Sequence, residues 1–400
     1  MKVKQKPADF VVREVARPRL GGTKDGSYAI YNLTKEGIGT IEAIDVIRRY
    51  WNIRRGDISM GGLKDKYART EQLISVYKGP PQDLTHRLFT LKYSGQTAQS
   101  ISPDSFQANR FSVCLRDLAR AEVNRLQHRL SEVMEFGLPN YFDEQRFGSV
   151  RGGNEFPARQ LIRGDFEGAL KTVLTSTSRE DRRATRQLRQ IIRNHWGNWT
   201  KCFSLLARSS ERSIINYLRD HPTNFRQAFE LLNPNLVLLY LHAYQSYLWN
   251  KGLSRLLVHY LPAPSLIRMP YLLGEFIFYH RLPAEILSDL KSLVIPYITH
   301  KTVFPNELTR NIYEGVLQEE GIALSDFRIR RMKKTYFHKG NRAVIVFPED
   351  LAVGEAEADE LNPAKLKLRL EFALPRGAYA TILIKRLSYD FNGRIKSHHH

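Results

Sequence analysis

The chain has 400 residues, too many for one typical hydrophobic core, so its length predicts two domains. Its 61 Lys and Arg residues against 41 Asp and Glu residues give a net charge of +20, which favours a polyanionic partner, although a generally basic protein would show the same excess. Cys114 and Cys202 lie far apart with no paired cysteine motif, so they suggest neither a disulfide framework nor a structural zinc site. No stretch reaches the roughly 18 apolar residues of a membrane span. We therefore expect a cytoplasmic protein.

The first 116 residues predict mainly β-strands separated by short turns. The expected strands cover residues 10–15, 28–33, 58–60, 72–77, 87–93 and 110–115. One helix is expected after a Thr40 N-cap, and a second covers residues 119–136 and ends at Gly137. This pattern predicts an α+β region and not a doubly wound one.

The connection between two of these strands, residues 60–72, concentrates unusual residue types. A Gly61-Gly62 pair is followed by Asp65, which stands between Lys64 and Lys66. The glycines allow a turn and close approach to a ligand, and the lysines favour an ionised carboxylate and offer cations to phosphates. The plainer interpretation is a solvated turn with alternating charges.

After residue 150 the sequence changes to helices and arginines. Residues 179–193 contain six arginines, and a Ser178-x-x-Asp181 start signal precedes all of them except Arg179. Four of these arginines share one helical face: Arg182, Arg186, Arg189 and Arg193. An ordinary exposed helix would show the same spacing, but the near absence of acidic residues favours RNA contact.

The long segment 235–261 follows Pro234 and is apolar on most sides in its first half, which predicts a central helix of this domain. Polar residues such as His242 and Asn250 interrupt it and argue against a membrane helix. Further on, residues 328–342 form a second basic cluster that also contains Tyr336 and Phe337, a mixture that suits phosphate contact and base stacking. Its basic members are Arg328, Arg330, Arg331, Lys333, Lys334, Lys339 and Arg342.

A one-sided strand is predicted over residues 366–372, where leucines alternate with charged residues. Strands therefore open and close the chain around a helical middle. We predict one discontinuous domain, residues 1–153 and 341–396, interrupted by a mostly helical, basic insertion over 154–340. The last residues, 397–400, resemble the remnant of a purification tag.

The loop has a close likeness in one known family. Gly62, Lys64, Asp65, Ala68, Thr70 and Gln72, together with the intervening Leu63, resemble the G-x-K-D-x-x-A-x-T-x-Q signature of the TruD family of tRNA pseudouridine synthases. In that family the aspartate is the catalytic residue. The resemblance therefore implies that Asp65 is catalytic.

The likeness recurs along the chain in segments that chance would not align. Residues 4–10 resemble the K-x-x-P-E-D-F element, with Ala8 in place of Glu, and residues 109–116 resemble the G-N-x-F strand, with Ala108 in place of the preceding Gly. The family's N-Y-F-G-x-Q-R-F-G element matches residues 140–148 except at Asp143. Residues 374–381 resemble the terminal L-P-x-G-S-Y-A-T element, and residues 242–250 are similar to a helix of the longer, archaeal-like and eukaryotic-like members.

Membership would imply a pseudouridine synthase core with a mixed or antiparallel sheet, interrupted by the helical TRUD domain. The target nucleotide must be flipped out of folded RNA, and Phe142 and Tyr379 are the candidates to hold the base by motif position. Asn140 is a candidate to bind the uracil edge, and Lys4 to pair with Asp65 or with the target phosphate. A core aromatic, a turn asparagine and a solvated lysine are the plain alternatives.

The resemblance predicts an isomerase that converts a specific uridine of tRNA, uridine 13 of the D-arm, without metal or other cofactor. Expected RNA contacts include Lys64, Lys66, Arg146, the four arginines of residues 182–193 and the 328–342 cluster. We expect a monomer that binds tRNA, or another structured RNA, with no membrane and no obligate protein partner. A non-catalytic RNA-binding or RNA-folding module is the alternative, and a metal-dependent nuclease is disfavoured because no second carboxylate stands beside Asp65. Asp143→Gly is expected to leave activity intact or raise it.

Overall fold

The computed structural model describes residues 1–17, 26–148, 150, 155–178, 181–329, 332, 336–391 and 396–397. The chain divides into two compact units: unit 1 comprises Met1–Leu138 and Val346–His400, and unit 2 comprises Pro139–Ile345. The chain thus leaves unit 1 and returns to it. The predicted boundaries at 153/154 and 340/341 stay predictions for the limits of the inserted domain.

The described strands are β1 (Lys2–Val3), β2 (Phe10–Ala16), β3 (Tyr28–Lys35), β4 (Ile58–Met60), β5 (Arg69–Tyr77), β6 (Leu84–His86), β7 (Phe89–Thr97), β8 (Phe106–Leu118), β9 (Leu138–Pro139), β10 (Leu266–Tyr271), β11 (Gly274–Tyr279), β12 (Val294–Pro296), β13 (Asn341–Ala343), β14 (Ile345–Val346), β15 (Glu349–Val353), β16 (Glu357–Ala358), β17 (Leu366–Pro375) and β18 (Lys396–Ser397). The described α-helices are α1 (Thr40–Trp51), α2 (Arg120–Phe136), α3 (Pro157–Ile162), α4 (Phe166–Thr175), α5 (Arg183–Asn194), α6 (Trp199–Leu205), α7 (Ser210–Asp220), α8 (Phe225–Glu230), α9 (Pro234–Tyr260), α10 (Ala284–Ser292), α11 (Glu307–Glu320) and α12 (Ala380–Leu387). Every strand predicted from the sequence lies in one of these elements or overlaps it. The predicted α+β fold is confirmed.

Unit 1 is built on one mixed sheet with the strand order β15-β17-β8-β2-β5-β3-β7-β6. Neighbours along this path are antiparallel except β2 and β5, which run parallel. Strands from the two ends of the sequence meet in the middle, where Val12 of β2 pairs with Phe111 of β8, and Phe111 pairs with Phe372 of β17. The sheet register therefore joins the first and last segments of the chain.

The alternation in β17 explains why this strand forms one layer of a core. Leu368, Leu370 and Phe372 are fully buried, whereas the side chain of Arg369 reaches the other face and donates to Ser112 Oγ at 3.0 Å. A period of two places successive side chains on opposite faces, so the predicted one-sided strand is confirmed.

The first helix begins one residue earlier than predicted. Gly39 is the N-cap of α1 and Thr40 is its first residue, so the prediction of a Thr40 N-cap was wrong. The helix buries Ile44 and Ile47 against the sheet, as its spacing predicts. The Thr40 hydroxyl is used elsewhere, in the loop described below.

Unit 2 is organised around α9, as predicted. Pro234 is its first residue after the N-cap Asn233, and most of its length is buried. Polar side chains on this helix are paired: the Asn250 amide accepts from the Phe142 N–H at 2.9 Å and donates to the Phe142 carbonyl at 2.8 Å. Among the residues that the structure describes, no helix has the length and apolar content needed to cross a membrane.

Candidate active site

The loop between β4 and β5 depends on one glycine for close packing. A Cβ on Gly61 would lie 2.3 Å from a ring carbon of Phe106, whereas a Cβ on Gly62 would meet only the Lys64 Nζ at 3.8 Å. Gly61 is therefore required for close packing against a core aromatic ring, whereas the predicted close approach of the glycines to a ligand stays a prediction.

Side chains from α1 and β5 hold this loop in place. The Thr40 hydroxyl accepts from the Lys64 N–H at 3.0 Å and donates to Gln72 Oε1 at 3.0 Å. The Gln72 amide in turn donates to the Gly62 carbonyl at 3.1 Å. Gln72 thus orients the loop, and the Thr40 hydroxyl, expected as a helix cap, joins the loop to β5.

Asp65 is the half-buried carboxylate of the loop, with 27% of its side chain exposed. The Lys4 ammonium forms an ion pair with Oδ2, and the Tyr67 N–H donates to Oδ1 at 3.1 Å. Lys4 is buried and adopts a left-handed backbone conformation, with φ of 59°. Since that conformation is unfavourable for a residue with a Cβ, the surrounding structure must impose it, as is common at functional sites.

A lysine that the sequence analysis did not select lies beneath the same loop. Lys35 ends β3 and is 1% exposed. Its ammonium donates to the main-chain carbonyl of Asp65 at 2.7 Å. Burial lowers the pKa of Lys35 to about 8, and the negative charge of Asp65 acts in the opposite direction.

The two lysines that flank Asp65 have partners of their own. The Lys64 ammonium pairs with Glu14 at 2.5 Å, and 12% of the Lys64 side chain is exposed. The ammonium is therefore directed into unit 1, whereas the sequence predicted a contact with RNA phosphates. Burial raises the pKa of Glu14, and the nearby Lys64 opposes this shift. Lys66 pairs with Glu42 at 3.2 Å near the surface, a contact weak enough to exchange for a phosphate.

The terminal motif is also part of unit 1. Gly377 adopts a φ of 80° between β17 and α12, and half-buried Tyr379 is the N-cap of α12. Burial raises the pKa of Glu14, and the positive charge of Arg376 acts in the opposite direction. Arg376 is therefore close enough to act on the Lys64 and Glu14 pair. The sheet register explains the approach, because Pro375 pairs with β8 beside β2.

Asn140 and Phe142, the base-binding candidates of the 140–148 element, lie in unit 2. Asn140 is buried, donates to the Ala343 carbonyl at 2.9 Å and accepts from Arg342 at 2.6 Å. Phe142 is 6% exposed, and the Arg342 guanidinium lies 4.1 Å from its ring centroid. Arg146 donates to Ser246 Oγ at 3.2 Å. This motif forms a packed polar and aromatic cluster within its unit.

Asp143 is 3% exposed and has ordinary extended backbone angles. Its side chain is therefore buried and not at an exposed rim, which removes the basis for expecting higher activity from Asp143→Gly. The backbone does not require glycine here, and removing a buried side chain at this position would instead leave a cavity.

The arginines of α5 divide into two groups. Arg189 donates to the Ser176 carbonyl at 2.5 Å and pairs with Asp181 at 2.9 Å, and Arg193 donates to the Thr175 carbonyl at 2.5 Å. These two arginines satisfy carbonyls at the end of α4 and so act in folding. The N-cap of α5 is Arg182, so the predicted start signal lies ahead of the helix.

The N-terminal half of α5 keeps an exposed basic surface. Arg182, Arg183 and Arg186 are exposed, and within the described parts of the chain they form no ion pair. We call these three residues the α5 arginine surface. Cations at a helix N-terminus are unfavourable to the helix, so their presence is better explained by an anionic partner.

The second basic cluster is only partly described. Arg330, Arg331, Lys333 and Lys334 lie outside the described residues. Arg342, grouped with them from the sequence, is 5% exposed and donates to the Asn140 and Tyr141 carbonyls, so it was wrongly included among phosphate contacts. Across the described ranges, no group of His, Cys, Asp or Glu side chains could hold a metal ion.

Comparison with known proteins places these features in one family. The sequence model of tRNA pseudouridine synthase D (TruD) matches residues 1–275 and 276–387. A probable tRNA pseudouridine synthase D 1 of Methanococcus maripaludis is 32% identical over 97% of this chain and 99% of its own length. The tRNA pseudouridine synthase D of Aquifex aeolicus is 32% identical over 97% of this chain and 98% of its own length.

The fold agrees with this likeness in sequence. The crystal structure of a TruD protein from Methanosarcina mazei matches with a TM-score of 0.70 and 26% identity, over 96% of this chain and 93% of that one. Both the predicted fold class and the predicted family are confirmed by these matches. The chain belongs to the TruD family of tRNA pseudouridine synthases, which are isomerases.

Proposed function

We propose that this protein converts a specific uridine of tRNA, uridine 13 of the D-arm, to pseudouridine and that Asp65 is the catalytic carboxylate. The observation that carries the proposal is the setting of Asp65. Its carboxylate remains 27% exposed while Lys4 pairs with it and Lys35 binds its main chain. A carboxylate that is ordered and still accessible suits a group that must meet a substrate.

The reaction breaks the N1–C1′ bond, with the electron pair leaving on the uracil. The ribose carbon then carries positive charge, which Asp65 stabilises as a carboxylate or captures by forming an ester bond to the sugar. After the base turns, C5 bonds to C1′; if the ester has formed, its C1′–O bond breaks in the same step and returns the electron pair to the Asp65 carboxylate. The C5 proton is then removed and N1 gains a proton. Atoms balance without an oxidant or a metal, so we expect activity in the presence of a chelator.

The surroundings of Asp65 support a nucleoside substrate. Leu63 and Tyr67 flank the carboxylate in sequence and are 67% and 38% exposed, so apolar surface is available beside it. Lys66 forms an exposed ion pair with Glu42 and can exchange it for a phosphate. Neither Leu63 nor Tyr67 was predicted to contact the substrate, because their exposure cannot be seen in the sequence.

Two aromatic residues remain candidates to hold the flipped base. The partial exposure of Tyr379 supports a stacking role for this residue, which lies in the same unit as Asp65. Phe142 and Asn140 keep their proposed roles on motif position alone, because both are buried and occupied by contacts within unit 2. An increase in the Michaelis constant for tRNA in either Tyr379→Ala or Phe142→Ala would identify which ring binds the base.

Binding of the whole tRNA requires contacts with its phosphates, which we assign to the α5 arginine surface and to Arg146. The net charge of +20 supports this assignment, as does the lack of ion pairs for the three α5 arginines among the described residues. We propose that the protein acts on tRNA as a monomer in the cytoplasm, and other structured RNA is a second possible substrate.

The test is Asp65→Asn, which keeps size and shape but removes the anionic carboxylate. We expect the variant to fold, to bind tRNA within about threefold of the parent, and to form no detectable pseudouridine, because phosphate contacts that dominate affinity lie elsewhere. Asp57→Asn, a half-buried position of the same unit, is the matched control and should keep full activity.

Mapping of pseudouridine in tRNA before and after incubation gives the readout. Product at uridine 13 supports the full proposal, and product at another uridine would correct the target only. A fully active Asp65→Asn protein would refute the catalytic assignment. A parent that binds tRNA tightly and modifies none would favour the RNA-binding module.

A further inference from the structure

The buried Lys35 ammonium is saturated by three main-chain carbonyls. It donates to the Asp65 carbonyl at 2.7 Å, to Ile38 at 2.9 Å and to Lys64 at 3.3 Å. An ammonium group has three N–H donors, so this set of acceptors matches it in full. Two of the three carbonyls belong to the loop that carries the catalytic carboxylate.

Packing alone does not account for a lysine at this position. A buried charge is unfavourable unless nearby groups compensate for lost hydration, and an apolar side chain of similar length would fill the same volume. The charges that face Lys35 are mixed: Asp65 in the loop and Glu42 on α1 raise its pKa, whereas Lys64 lowers it. Burial also lowers the pKa and outweighs the two carboxylates. The fold therefore retains this cation at a cost in stability.

Lys35 and Lys4 hold opposite ends of the same residue. Lys4 pairs with the Asp65 carboxylate, and Lys35 binds the Asp65 main chain. A catalytic group must be held within about 0.5 Å of its productive position, and a carboxylate fixed at its oxygen alone could still shift with its backbone. We propose that Lys35, in its ammonium form, is a positioning residue that fixes the Asp65 main chain for catalysis; this rests on the proposed role of Asp65.

The proposal makes activity sensitive to loss of the Lys35 proton. A neutral amine keeps two donors and turns a lone pair towards one carbonyl, so the loop loses a hydrogen bond and gains a repulsive contact. Because the folded pKa of about 8 lies below the ordinary 10.5, the unfolded chain binds more protons between these values. The contribution of Lys35 to the free energy of unfolding therefore rises as the pH rises from about 8 to 10.5, while catalytic activity falls over the same range.

The first experiment compares Lys35→Met with the parent in single-turnover reactions on tRNA. We expect the rate at saturation to fall by about 10²-fold, the effect of a displacement near 1 Å, with tRNA affinity within about threefold. The ratio of parent to variant rates should decline from pH 7 to pH 9.5, because the parent loses the cation that the variant lacks. Lys92→Met, an exposed lysine of β7, is the matched control and should match the parent.

A second measurement needs no variant and therefore decides the matter even if Lys35→Met does not fold. The parent's single-turnover rate and its melting temperature are followed over the same pH range, and we expect the rate to fall through about pH 8 without a matching fall in melting temperature. Unchanged rates in Lys35→Met, or a parent rate that falls only where the protein melts, would overturn the positioning role. A parent that forms no pseudouridine would instead defeat the proposed function.

Discussion

The Lys4 ammonium is paired with the Asp65 carboxylate across 61 residues of sequence. Lys4 follows β1, which pairs with β8, and its ammonium also lies 4.3 Å from the Phe10 ring centroid. The short N-terminal strand β1 therefore positions the Lys4 ammonium against the loop that precedes β5.

Lys4→Gly should separate this electrostatic role from the fold. Glycine accepts a φ of 59° without strain, so the backbone loses an unfavourable conformation while the ammonium is removed. We expect the protein to remain folded and the single-turnover rate on tRNA to fall at least tenfold, about 1.4 kcal/mol of barrier.

Lys2→Met is the control for the Lys4 experiment, since Lys2 pairs with Asp117 at 3.7 Å and donates to Asn362 at 2.5 Å, and neither partner belongs to the loop. Its rate should equal that of the parent. A Lys4→Gly protein with the parental rate would show that Asp65 does not depend on this cation.

The two glycines of the loop should respond differently to the same substitution. Gly61→Ala forces a methyl group to 2.3 Å from the Phe106 ring, so we expect a loss of about 1–3 kcal/mol in the free energy of unfolding and a lower rate. Gly62→Ala meets only the flexible Lys64 side chain at 3.8 Å and should change stability by less than about 0.5 kcal/mol. Urea denaturation of both variants measures the difference, and equal losses would contradict the packing argument.

Much of the fold could be predicted because it depends on local patterns. The alternation in β17, the spacing in α1 and the glycine that ends α2 each specify an element from a few neighbouring residues. The segmented likeness to one family then connected elements that local patterns cannot join. The strand order, which places β2 between β5 and β8, depends on contacts across the whole sequence.

The site was less predictable because its partners are distant in sequence. Asp65 could be selected from its motif, but a lysine at the end of a strand such as Lys35 normally predicts solvent exposure. The same limit applied to Lys64, whose partner Glu14 is 50 residues away, and to Arg189, which binds a carbonyl beyond α4. Helical spacing predicted one shared face for the four arginines, but Arg182 is the N-cap ahead of α5, and spacing could not predict that Arg189 and Arg193 bind main-chain carbonyls.

The division of the α5 arginines gives opposite expectations for binding and stability. Replacing Arg182, Arg183 and Arg186 by glutamine should weaken tRNA binding and reduce the slope of log affinity against log salt by about 2–3, since each lost phosphate contact removes roughly 0.7–0.9. The melting temperature should stay equal or rise, because three cations leave the positive end of the helix dipole.

The matched control replaces Arg189 and Arg193, which also removes positive charge from α5 but breaks their bonds to the Ser176 and Thr175 carbonyls. A buried carbonyl left without a donor costs about 1–3 kcal/mol, so this variant should melt at a lower temperature and keep the parental salt slope. Filter binding at several salt concentrations and thermal melts provide both readouts. If the triple variant keeps the parental slope, the α5 arginine surface does not contact RNA, and the phosphate contacts must be sought elsewhere on the chain.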